Sequence, residues 1–149
     1  MSYELRDHTA DVAVEATAQS LSALFAAVAD GLTAASCESV PAGDGDRFSI
    51  RETAESREAL LFDYLDRLIY ERDVRLVLPA DHECHAIPPD PSVESDLDPD
   101  DDPAWTVEAS ARGVPLDAVA AREIKAVTYS EMTLERRDGG WYAYVVFDV

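Results

Sequence analysis

Lysine is nearly missing from this chain: Lys125 is the single one, and every other cation is an arginine. Against 12 basic residues stand 31 acidic ones, a formal net charge of −19. Such a surface excludes broad direct binding to nucleic acid, which works by neutralising phosphates with Lys and Arg. Contact through a basic partner protein stays open, so nucleic acid is expected only indirectly. In dilute buffer the charge would repel itself and loosen the fold, whereas molar salt shortens the Debye length to about 3 Å. The composition therefore reads as halophilic.

Cysteine is scarce as well. Cys37 and Cys84 sit in unlike contexts without a CxxC spacing, which points to free thiols in a reducing compartment. No apolar run approaches the roughly 20 residues that cross a bilayer, and Met1-Ser2-Tyr3-Glu4 lacks the basic and apolar regions of a secretory leader. A cytoplasmic protein without a membrane partner is expected. Nucleophile elbow, phosphate loop, Rossmann glycine pattern and paired zinc motif are all missing. Asp81-His82-Glu83-Cys84-His85 contains zinc-capable side chains, but no second Cys or His cluster completes a tetrahedral set, and strand alternation would send them to opposite faces.

With 149 residues, 47% of them hydrophobic, the chain suits one compact domain over 1–149 that buries about two-thirds of its unfolded surface. Ser20 is a candidate N-cap, after which Leu21, Leu24, Phe25, Val28 and Leu32 recur at helical spacing, with Gly31 near the helix end. Phe48, Ile50 and Glu52 alternate as a strand. A second helix is predicted over 56–71 with Leu60, Leu61, Tyr64, Leu65, Leu68 and Ile69 as its apolar stripe, followed by a strand through Val74, Leu76 and Leu78 before Pro79. Residues 88–103 are rich in Pro, Asp and Glu and read as an acidic mobile loop. Residues 105–111 resume the sheet, Gly113-Val114-Pro115 turns, and 124–134 and 141–149 close it as two strands around Asp138-Gly139-Gly140. The fold class predicted is α+β: a two-layer sandwich with a mixed β-sheet and two main helices packed on one face.

One stretch stands out. Asp7-His8-Thr9-Ala10-Asp11 packs two carboxylates, an imidazole and a hydroxyl into a break between two apparent strands. Asx turns and caps would account for it structurally; a loop held by a sheet can also position ligands. The closing strand ends in Asp148 and Val149, and its alternation would hold that end on the sheet.

His8-Thr9-Ala10-Asp11, the strand and 20–32 helix after it, Lys125-Ala126-Val127-Thr128-Tyr129, and Val145-Val146-Phe147-Asp148-Val149 at the C-terminus together resemble the archease family over nearly the whole chain. The resemblance implies a non-enzymatic activator of the RtcB-type RNA ligase of tRNA splicing, promoting its guanylylation and turnover. It also implies a divalent cation site, Ca²⁺ first with Mg²⁺ or Mn²⁺ as alternatives, made by Asp11, Asp148 and Val149. Carboxylate and backbone oxygens suit such hard cations. His8 and Asp7 stand behind these three as supporting candidates. A small metal-dependent hydrolase and a general protein chaperone are the competing readings.

Overall fold

The computed structural model describes residues 2–7, 11–41, 45–89 and 104–149. Strand β1 (Ser2–Asp7) pairs antiparallel with β2 (Asp11–Ala18). Ser20 then caps helix α1 (Leu21–Ser36), its Oγ accepting from the Ala23 N–H at 3.1 Å. Strand β3 (Arg47–Ala54) leads to Ser56, which caps α2 (Arg57–Arg75) in the same way. Strands β4 (Val77–Ile87) and β5 (Trp105–Pro115) follow, then a 3-10 turn at Leu116–Ala118. The β6 (Ala126–Arg137) and β7 (Gly140–Asp148) hairpin closes the chain; Asp138 and Gly139 have φ of 50° and 80°, the left-handed pair that a tight hairpin requires.

The α+β sandwich read from the sequence is the fold that forms. Its strands divide into two sheets, ordered β1-β2-β7-β6 and β3-β5-β4, and every pairing is antiparallel rather than mixed. The reason lies in the connections. Helix α1 carries the chain from one sheet to the other, and α2 returns it to the far side of the second sheet, leaving a gap that β5 fills antiparallel to both neighbours. Each helix consequently packs on both sheets: α1 on β2 and β4, α2 on β3 and β6.

The core follows from the period of two. Val12, Val14, Ala16 and Ala18 of β2, with Ala143, Val145 and Phe147 of β7, face Leu24, Phe25, Leu60, Tyr64 and other buried helix residues. Full burial of each large side chain contributes roughly 1.5–3 kcal/mol. Gly31 is not a helix stop. It sits inside α1, where an added Cβ would lie 2.5 Å from Val14 Cγ1, so its bareness sets how closely the helix approaches the sheet.

Helix α2 overruns its predicted end by a turn. Val74 and Leu76, expected in a strand, are 60% and 68% exposed, and Leu76 closes the helix with a left-handed φ of 56°. Pro79 lies within β4. Its carbonyl accepts from Thr33 Oγ1 of α1 at 2.7 Å, so the backbone there points away from β5 and the proline removes no ladder bond. The turn expected at Gly113-Val114-Pro115 is absorbed into β5. Of the acidic stretch 88–103, residues 90–103 lie outside the described residues. Among the described residues, no helix is long and apolar enough to cross a membrane.

Candidate functional site

Antiparallel register decides what meets what at the end of the first sheet. The β2–β7 ladder sets Asp11 opposite Asp148, then Val12 opposite Phe147 and Ala13 opposite Val146. Directly opposed residues point to the same face. Since Val12 and Phe147 belong to the core, Asp11 and Asp148 share the outer face, away from the helices. Asp11 is half-buried, Asp148 is exposed, and Val149 is half-buried and packs back against the core. Strand β6 fixes the same end from its other side: Ala126 pairs with Asp148, and the Lys125 N–H donates to the Asp148 carbonyl at 2.8 Å.

Of the predicted site residues, Asp11 and Asp148 are thus set opposite one another, and Val149 follows Asp148 with its side chain against the core. Asp7 ends β1 opposite Val12, one register position from Asp11; of its side chain nothing is described, and His8 lies outside the described residues. Like charges set directly across a strand pair repel. Carboxylate oxygens of this kind are hard donors of the sort that Ca²⁺, Mg²⁺ and Mn²⁺ take. Thr128 lies nearby on β6. It pairs with Val146 on the same outer face, and its Oγ1 is buried with no hydrogen-bond partner among the described residues. Its pattern in sequence is that of an ordinary strand threonine, so only the fold singles it out. Among the described residues, no three His, Cys, Asp or Glu side chains gather as a metal group.

The zinc-capable stretch in β4 disperses as its alternation predicts. Asp81 takes a left-handed φ of 51° at a bulge between Ala80 and Glu83, His82 turns inward, and Glu83 and His85 face solvent.

Solved structures similar to this chain share its fold. The solution structure of Methanobacterium thermoautotrophicum protein 1598 matches with a TM-score of 0.79 at 23% identity, covering 99% of this chain and 98% of that one. A crystal structure from Thermotoga maritima, described as an archease and possible chaperone, matches with a TM-score of 0.60 at 21% identity, covering 98% and 96%. At these identities the likeness is one of fold. Curated relatives go further: protein archease of Methanosarcina mazei is 30% identical over 152 residues, covering 99% of this chain and 95% of its own length. That of Methanopyrus kandleri is 27% identical over 152 residues and all of both chains. The profile of the Archease protein family (MTH1598/TM1083) matches residues 3–149, and the chain belongs to that family.

Proposed function

We propose that this chain is a non-catalytic accessory protein of an RtcB-type RNA ligase in tRNA splicing, promoting the ligase's guanylylation and turnover. Membership of the archease family supports the class. The observation that carries the metal-dependent part is the register setting Asp11 opposite Asp148 at one end of the first sheet. Asp11, Asp148 and Val149 would hold a divalent cation, Ca²⁺ first, with Asp7 and His8 in support. The cation would neutralise like charges and present a positive centre on an otherwise acidic end. In this reading the acidic residues around that end approach the ligase's cationic nucleotide site and help bring the metal, or a geometry competent for guanylylation, to it.

The test is guanylylation of the purified ligase with GTP, with and without this protein. Wild type is expected to stimulate, and Asp148→Asn to lose stimulation while keeping its melting temperature. Calorimetric titration with Ca²⁺, Mg²⁺ and Mn²⁺ is expected to show affinity weakened by about tenfold or more in the same variant. Wild-type stimulation by a folded Asp148→Asn would overturn the site, and absence of stimulation by wild type would overturn the function. The Thermotoga maritima relative's description favours a second reading, a chaperone. Suppressed aggregation of unrelated clients, without any effect on the ligase, would select it. Phosphoesterase activity of the protein alone would instead point to a hydrolase.

A further inference from the structure

Arginine placement at the opposite end of the molecule is unlike that elsewhere. Every other arginine whose side chain is described meets a carboxylate, or, in Arg122, the Ala35 carbonyl at the end of α1. Among the described residues, Arg57 and Arg136 meet neither. Their guanidinium carbons lie 5.0 Å and 5.1 Å from the ring centroid of the same indole, Trp141, and Arg57 also lies 5.9 Å from Trp105. Among the described residues neither cation has a carboxylate partner, and both gather on one ring. Both tryptophans of the chain are in this cluster.

Three strands and a helix assemble it. Arg136 and Trp141 are cross-strand partners in the β6–β7 hairpin, Trp105 opens β5, and Arg57 is the first residue of α2. An indole face holds a guanidinium plane in place and weakens its hydration, leaving the edge N–H groups for an anion. The start of α2 adds its own partial positive charge. Planar guanidinium forks match phosphate oxygens, and the half-buried Trp105 indole offers a surface on which a base can stack.

We propose that Arg57 and Arg136, laid on Trp141, form a seat for a phosphate group carried by a nucleotide or by single-stranded RNA. The seat does not depend on the ligase reading. Counting along β7 from Trp141 to Asp148, it lies roughly 23 Å from the carboxylate end. The net charge of −19 opposes long-range accumulation of RNA, so the contact is short-range and local.

Tryptophan fluorescence and calorimetry at fixed ionic strength test it, with inorganic phosphate, GTP, a short single-stranded RNA and poly-glutamate as probes. GTP and RNA are expected to bind and shift the emission, and Arg57→Gln with Arg136→Gln to weaken both by about tenfold or more. Arg136→Lys, which keeps the charge but loses the fork, should fall between. Phosphate binding as tightly as GTP would support a seat that reads the phosphate alone; tighter RNA binding would support the strand as its source. A melting curve controls for folding, and Arg136→Gln alone, at an exposed position, repeats the test if the double variant is unstable. No binding by wild type, undiminished binding by a folded glutamine variant, or poly-glutamate binding equal to RNA would each overturn the proposal.

Discussion

His82 shows how much one side chain can hold. It is buried beneath the β4 bulge, with Nε2 at 2.8 Å from Thr33 Oγ1. The same hydroxyl lies within hydrogen-bond reach of the Ala29 and Pro79 carbonyls, at 3.1 Å and 2.7 Å. Nδ1 finds no partner among the described residues, and the ring borders a small cavity lined by Leu32, Leu68, Ile69 and Leu78. Burial, reinforced by the positive Arg47, lowers the imidazole pKa from 6.5 to about 4, against the opposing pull of Asp81. A base with a depressed folded pKa binds its proton more readily when unfolded. Its contribution is therefore complete above about pH 6.5 and drains away as pH falls towards 4, about 3 kcal/mol in all. Thermal melts at pH 7 and 4.5 should show a larger fall for wild type than for His82→Gln, which cannot titrate; equal falls would refute the assignment. Nothing in the local sequence distinguishes His82 from its neighbour His85, since both sit in the same alternating stretch and only the bulge at Asp81 decides which turns inward. Asp11 and Asp148 are different. Each carboxylate can be read locally, but their meeting depends on a register between residues 137 positions apart, which the family resemblance supplied and local periodicity could not.

At the scale of elements, α1 was legible from Ser20 and its apolar period because cap and stripe are both local. The end of α2 was not: Val74 and Leu76 mimic strand alternation, yet stay in solvent while the helix runs on to Arg75 and its salt bridge with Glu71. Glu71 is almost wholly buried, and although burial alone would raise its pKa, hydrogen bonds from Arg67 and Arg75 carry it below the usual value. Glu71→Ala takes away the carboxylate of Arg75 while Arg67 keeps Glu52, and with the loss of these charged hydrogen bonds it should lower stability by about 1.5–3 kcal/mol in chemical denaturation. Loss below half a kcal/mol would show the cluster to be merely a surface network. Gly31 gives the converse lesson. Helix propensity alone favours Gly31→Ala by about 1 kcal/mol, but the new methyl meets Val14 at 2.5 Å. We expect overpacking to dominate, with a net loss of about 1–2 kcal/mol and a melting point several degrees lower. A higher melting point would mean that α1 can back away from β2 freely.

For the whole molecule, charge sets the conditions under which the fold persists. Much of the arginine complement is spent locally on carboxylates, and the remaining excess of −19 repels itself over the surface. Raising KCl from 0.1 M to above 1 M contracts the screening length from about 10 Å to about 3 Å, so the melting temperature followed by circular dichroism should climb by about 10 °C or more. A melting point indifferent to KCl would reject the salt-loving reading. The division of strands between two sheets escaped the sequence for a reason at this same scale, since it depends on where each helix delivers the chain and not on any pattern within it. That division leaves β4 at a sheet margin, and salt that screens repulsion also lets copies approach one another. Along that margin, the Pro79 carbonyl is taken by Thr33 and the Ala86 N–H donates to Ser22 Oγ at 2.8 Å, both from α1, while the Asp81 bulge breaks the run between them. A strand from a neighbouring molecule would find no continuous row of donors and acceptors to copy, so high concentration in brine need not become fibrillation at this edge.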